Sequence, residues 1–538
     1  MRKDHTESMR APLLLIVLPF LLGIGSSRLI PLHATVPAIL LILSLLLLLG
    51  FKNALSRATY WQVVFGVAIF SLGGMYGARI VPSFDGLQSD LPNPPREEVL
   101  LVDPVQLFAA PPYSKDQVGL GAVAGVPGLL YFTAPADSQK KPILSGFSTR
   151  LKGVKRPLFE IIEDPGFYSY LKARGVSAGI HSNLSPAVVG IANSWRAVFS
   201  VLLERGKEAL SVGSSPTEPP TRIYKALVLG QRLGLEPRQK EMFKVTGTAH
   251  LFAISGLHVG LVGFFLFTVF RRIRIANWLQ VSATLLILLF YVLLTGATPS
   301  AVRAFLMISF LVGAKAFHRA YRPTSALAAS ALFVLLIDPE QLFTLGFQLS
   351  YIVVLSILVY GAPLAKRLME QTSPEYWLPG QTGSPYHRLR RWFFGSLSIS
   401  LAAFLGSSPL IMDHFHLLPI SSILLNLLLI PPATVVLIIG FLSLLAGLLG
   451  LAWISFLFNQ AALPIVEAMT GIVSITSNTP IAAISLIWKN DWAGSVGTLL
   501  FLFVTFWTAS RPQFRYRYLL CPVGALTTTL FLGRIAAQ

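Results

Sequence analysis

The sequence predicts a mainly α, polytopic helical membrane protein of about 13 spans, with one small all-β domain set between groups of spans. Three observations predict it. The 538 residues are 54% hydrophobic and 12% charged, with a mean hydropathy of +0.65, which is outside the range of soluble globular chains. Apolar windows near the roughly 20 residues that a bilayer demands recur along the chain. One stretch, 80–190, breaks that pattern with Pro, Gly, charge and short alternating runs at 118–124 and 128–134, which read as strands.

In chain order, windows 11–27, 34–50 and 60–77 follow one another closely, which argues against a cleavable signal peptide and defines an N-terminal unit, 1–79. The β domain occupies 80–190. In 191–247, Trp195, Val198, Phe199, Leu202 and Leu203 repeat at helical spacing while Arg196, Glu204, Arg205 and Lys207 take other faces. Such a helix lies at the membrane surface or packs on the bundle. A transmembrane bundle fills 248–475, and two more spans fill 476–538. Window 324–337 is short, and window 417–447 contains Pro431-Pro432, which predicts a broken or re-entrant helix.

The formal charge of +19 would ordinarily raise nucleic acid or anionic lipid as a partner. Its location says something else. Placing the N-terminus in the cytoplasm puts Arg271, Arg272 and Arg274, Lys366 and Arg367, Arg511 and most other basic loop residues on the inner side, and those loops carry +15 of the excess. The β domain, on the outside, has ten basic and ten acidic residues. The charge is chiefly an orientation signal. The single cysteine, Cys521, excludes an intramolecular disulfide and a Cys-rich zinc site.

Several strings in the second half carry a resemblance. Gly247-Thr-Ala-His250-Leu-Phe-Ala-Ile-Ser255-Gly256-Leu-His258-Val-Gly260 is preceded by ALVLGQRLGL at 226–235. GATPSAVRAFLM at 296–307, Asp338-Pro339 through Gly346-Phe347-Gln348-Leu349-Ser350, Ser408-Pro409-Leu410 and Asn426 through Pro431 follow in order. Together with Asp164-Pro165-Gly166-Phe167 before the bundle, they resemble the ComEC-type DNA-uptake competence channel family over roughly residues 60–475. The resemblance implies an exported OB-like domain, a conduit for single-stranded DNA during natural transformation, and residence in the cytoplasmic membrane of a bacterium. It also implies partners: an external DNA receptor, a cytoplasmic ATP-driven motor, a separate strand-degrading nuclease, and other copies of the chain if the conduit is a homo-oligomer. Many members carry a C-terminal metallo-β-lactamase-like domain; its His-x-His-x-Asp-His motif is not present among the nine histidines. No nucleotide-binding loop is visible either, so the expectation is a channel with no cofactor and no resident metal, not an enzyme.

A polyanion can cross a bilayer only along a wall that replaces its water with polar and small side chains. His250, Ser255 and His258 on the signature helix suit such a wall, and their alternative role is close helix packing. Eight residues separate the two histidines, about 80° around a helix, so one surface can hold both. Arg303, just inside a span, must reach an aqueous cavity, a partner such as Asp338 or Asp413, or the interface; its donor fork also suits phosphate. Gln348 and Asn426 invite a place on the path or interhelical hydrogen bonds, of which the second is favoured. In the β domain, Tyr131, Phe132, Lys140, Lys141, Arg150, Lys152, Lys155 and Arg156 are the residue types that contact a single strand, while the aromatics also suit a core. Two competing readings remain: a paralogue that moves or senses another polymer or lipid, and a membrane scaffold without a pore.

Overall fold

The computed structural model describes residues 97–108, 116–123, 126–135, 147–157, 161–162, 171, 176–182, 187–191, 194–230, 234–252, 254–316, 321–371, 385–485, 493–509 and 516–533, with a few positions before residue 74. The three N-terminal windows fall largely outside these residues.

Six strands form the β domain: β1 (Glu97–Phe108), β2 (Asp116–Val123), β3 (Val126–Pro135), β4 (Phe147–Pro157), β5 (Val176–Ser182) and β6 (Ala187–Ile191). The order is β1-β2-β3-β5-β4, and β1 also pairs with β4, so five strands close on themselves. β3 and β5 are parallel and the other pairs antiparallel, while β6 extends β4 at Phe147–Arg150. This is the strand order of an OB-type barrel, and closure removes the exposed edges of a small sheet. Leu130, Phe132 and Ala134 alternate into one core with Val102, Leu151 and Ile180. The opposite face of β3 is covered as well, because Tyr131 packs with Val118, Leu120 and Leu171.

After the barrel come α1 (Ser194–Ala209), α2 (Pro219–Leu229) and α3 (Pro237–Val245). α1 exposes Trp195 and Val198, as an amphipathic helix should, and packs its Gly206 side against Leu444. α2 is a core element: Ile223, Tyr224 and Ala226 through Leu229 are buried in the largest apolar cluster. Of the two placements open to 191–247, packing on the bundle therefore holds for α2.

The bundle proper contains α4 (Gly256–Ile273), α5 (Asn277–Leu294), α6 (Pro299–Ala316), α7 (Pro323–Ile337), α8 (Leu345–Ser356), α9 (Ala362–Gln371), α10 (Pro385–Phe415), α11 (Ser422–Leu448) and α12 (Ala452–Ser477). α13 (Ala493–Ala509) and α14 (Leu520–Gly533) follow. A π-helical turn at Ile357–Gly361 joins α8 to α9 without a break. Among the described residues six helices are long and apolar enough to cross a membrane, and four shorter apolar helices accompany them. The protein is a mainly α, polytopic membrane protein.

One expectation fails here. α11 runs unbroken through Pro431 and Pro432. Each proline deletes a backbone donor, but Leu427, Leu429, Ala433, Val436 and Leu437 around them are buried against neighbouring helices. The Thr434 hydroxyl donates to the Ile430 carbonyl at 2.8 Å within the same stretch. Packing on several sides and local side-chain bonding hold such a helix together in a bilayer.

A buried polar network ties the early helices to the late ones. The Asn459 amide donates to the Ala209 and Val212 carbonyls at 2.9 and 3.0 Å, and its oxygen accepts from Ser443 at 2.7 Å and Tyr224 at 3.3 Å. The Tyr291 hydroxyl donates to the Val228 carbonyl at 2.8 Å. With backbone groups at the end of α1 satisfied this way, the chain can turn inside apolar surroundings without orphaned carbonyls.

Candidate functional site

The signature string is not one helix. Gly247 adopts φ +69°, and a Cβ there would lie 2.8 Å from Pro419 and Ser422 side chains, so the chain can pass the start of α11 only as glycine. A short 3-10 turn, Ala249–Phe252, follows, and α4 starts only at Gly256. His250 is exposed within that turn, with Nδ1 2.9 Å from the Gly247 carbonyl. The expected shared helical surface for His250 and His258 therefore does not form.

Ser255 and His258 instead build the N-terminus of α4. Ser255 is its extended N-cap, and its hydroxyl accepts from the His258 backbone N–H at 3.4 Å. The Ser255 N–H donates back to His258 Nδ1 at 3.1 Å. This is a capping box in which imidazole stands in for the usual carboxylate or amide. Because Nδ1 accepts, the neutral ring carries its proton on Nε2. His258 is 2% exposed, so the ring is a buried structural element of the helix start.

Immediately beyond the cap, Gly256 faces Arg303 of α6. A Cβ on residue 256 would fall 2.5 Å from Arg303 Nη2. The guanidinium is 4% exposed; Nη1 donates to the Ser350 carbonyl on α8, and the Cζ lies 5.6 Å from the Tyr351 ring centroid. Tyr351 in turn donates to Ser330 of α7 at 3.4 Å and stacks near Phe347. Arg303 Nε and Ser350 Oγ are buried without a hydrogen-bond partner among the described residues. No carboxylate there lies within ion-pair distance of Arg303: Asp338 accepts from Gln341 at 2.7 Å, and Asp413 lies 3.9 Å from His414. The pairing with Asp338 or Asp413 is thus not made.

Three helices, α4, α6 and α8, meet at this cation, and its neighbours on α6 belong to different apolar clusters. Ala301 and Ala304 face the large core, Met307 the cluster around α8 and α10, and Leu306 the cluster around α7. A lone buried charge costs several kcal/mol. Carbonyl and ring contacts offset part of that. The N-terminus of α4 adds partial positive charge beside it, so the electrostatics favour an anion.

The remaining candidates lie apart from this group. Gln348 donates to the Leu342 carbonyl at 3.0 Å, a local bond to its own approach turn, not to another helix. Asn426 is 9% exposed with Oδ1 unpartnered, and among the described residues it makes no interhelical hydrogen bond. In the barrel, Tyr131 and Phe132 are 4% and 0% exposed and present no ring face to a strand, because β3 is covered on both sides. Arg150, Lys152 and Arg156 are exposed at even spacing along β4 and share its outer face. Lys140 and Lys141 lie outside the described residues, and Lys155 is described only in its backbone. Ser350 and Tyr351 were invisible as partners, since nearly fifty residues separate them from Arg303 and no local pattern links the two strings.

The family described as Competence protein matches residues 227–511, a range that holds Gly256, His258, Arg303, Ser350 and Asn426 and leaves out the barrel. The chain is 34% identical over 235 residues to ComE operon protein 3 of Bacillus subtilis, covering 43% of this chain and 27% of that protein. It is 27% identical over 258 residues to Recombination protein 2 of Haemophilus influenzae, covering 46% and 31%. An uncharacterized protein, YcaI of Escherichia coli, is 25% identical over 223 residues, 40% and 28% of the two chains. The matched region spans less than a third of the length of these three relatives. No solved structure matches. With just over half of its residues inside the family match, and with the ordered strings around Gly256, Arg303 and Ser350 within it, the chain belongs to the Competence protein family.

Proposed function

We propose that this chain is a bacterial cytoplasmic-membrane channel that admits single-stranded DNA during natural transformation, with its N-terminus in the cytoplasm and the barrel outside. Arg303 carries the reading: it is a buried cation without a carboxylate partner among the described residues, at the junction of α4, α6 and α8. In the conformation described, Arg303 is covered. Transport then needs α8 to move off α6, exchanging the Ser350 carbonyl for a phosphate oxygen at the same guanidinium. Family membership, the relatives' names and the OB-type barrel support this reading. The exposed row Arg150, Lys152 and Arg156 is the barrel's DNA-contact candidate, with Lys140, Lys141 and Lys155 beside it in sequence. A DNA receptor, a motor and a nuclease act as separate partners, and the chain works as transporter, not enzyme.

The test is uptake of labelled DNA in a deletion strain complemented with Arg303 variants. Arg303→Met should reduce internalised DNA on the order of 100-fold at unchanged membrane abundance, with Arg303→Lys in between. Wild-type uptake by Arg303→Met would remove the reading. A second reading, transport of a different polymer by the same fold, is favoured by the barrel's balanced charge and buried aromatic pair; unchanged transformation in the deletion strain would select it.

A further inference from the structure

α4 and α6 run parallel, since Gly256 faces Arg303 and Gly263 faces Ile308. Below the Arg303 junction they part around a cleft of about 920 Å³, completed by α5. Its upper wall is apolar: Phe264 and Phe267 from α4, and Ile308, Leu311 and Val312 from α6. Gly260 leaves open space, with nothing within 4 Å of a Cβ built there. The two hydroxyls on its lining are already committed, Thr268 to the Phe264 carbonyl at 2.7 Å and Thr284 to the Gln280 carbonyl at 2.8 Å. At its lower end stand Arg271, Arg272 and Arg274, all exposed and without a carboxylate partner among the described residues.

We propose that this cleft binds an anionic phospholipid, with the phosphate at the three arginines and an acyl chain along Phe264, Phe267 and the α6 wall. The dimensions match. The eleven helical steps from Gly260 to Arg271 span about 16 Å, close to one leaflet's half of a roughly 30 Å hydrocarbon core. The depth matches too: Trp278, four residues after Arg274, is 71% exposed, as an interfacial indole would be, and Phe264 is 72% exposed, as a lipid-facing ring would be. A nucleic acid strand fits the cleft poorly, because beyond one cluster of cations the wall offers apolar side chains and two hydroxyls whose protons are already donated to backbone carbonyls, where a strand needs polar partners at every phosphate. Basic pockets between spans at a membrane surface are a recurrent headgroup site.

The test uses the full-length protein in detergent, titrated with phosphatidylglycerol or phosphatidylethanolamine and read by native mass spectrometry. Phosphatidylglycerol should bind selectively, and replacing Arg271, Arg272 and Arg274 by Gln should weaken it on the order of 100-fold. Because those changes also touch the insertion signal, Gly260→Phe is the second variant: it fills the cleft, leaves every charge in place and should weaken binding comparably. Equal binding of both lipids, or unchanged phosphatidylglycerol binding in either variant, would overturn the proposal. So would competition by inorganic phosphate as effective as that of lipid, which marks a free-anion site, or displacement of the lipid by a short single-stranded oligonucleotide, which places the cleft on a nucleic-acid route.

Discussion

The guanidinium of Arg303 occupies the space that a side chain on residue 256 would need, with Nη2 lying 2.5 Å from the Cβ position of Gly256. The first residue of α4 is thereby tied to a charge on a different helix. Gly256→Ala should cost about 1–2 kcal/mol in the parent and less than half of that in an Arg303→Ala background. Thermal unfolding in detergent measures all four corners of the cycle; additive costs would contradict the contact.

The capping box predicts a smaller effect nearby. Ser255→Ala should lower stability by about 1 kcal/mol and Ser255→Asp should recover most of it, because either side chain offers an acceptor to the His258 N–H. Denaturant midpoints of the purified variants decide it.

Asn459 joins four groups at once, so its loss should be among the more damaging single changes in the bundle. Asn459→Ala removes one bond each from the Ala209 and Val212 carbonyls and from the hydroxyls of Ser443 and Tyr224, at about 2–4 kcal/mol. Tyr224→Phe removes one peripheral bond and should cost about 1 kcal/mol. Comparing the two unfolding midpoints checks the ranking.

In the barrel, core and surface separate cleanly. Phe132→Ala should cost about 3–5 kcal/mol and make the β domain of the full chain protease-sensitive. Replacing Arg150, Lys152 and Arg156 by Gln should leave proteolysis unchanged while weakening retention of single-stranded DNA, with a shallower salt dependence.

Burial pushes the Tyr131 hydroxyl up to about 12 from an ordinary value of 10.0. A raised folded value means that the folded state holds the proton more tightly. Its contribution is complete below about pH 10 and is lost as pH climbs toward about 12. Tyr131→Phe should therefore blunt the alkaline rise in barrel proteolysis; an unchanged alkaline profile would show that the hydroxyl is not buried in the folded chain.

The parts of this fold legible in the sequence were those written in local period. Twenty-residue apolar windows and the alternation of β2 and β3 depend only on neighbours along the chain, and among the described residues they match the six long apolar helices and two of the six strands. The polar candidates were harder to read. His250 and His258 share a helix on any wheel, yet the tight passage of Gly247 against Pro419 and Ser422 puts a turn and a cap between them. Pro431-Pro432 read as a break, and burial on several sides kept α11 whole. Tyr131 and Phe132 read as candidates for both strand contact and core, and closure of the barrel with its cover at Leu171 buried both.

By itself, then, the sequence determined that this is a polytopic helical membrane protein with an inserted β domain and a charge excess concentrated in its loops, because hydrophobic period and charge placement are properties of consecutive residues. Only the tertiary structure decided that Arg303 meets Ser350, Tyr351 and Gly256, that β1 closes on β4, and that α4 and α6 part above three arginines. Those relationships join residues tens of positions apart, and only packing brings such residues within reach.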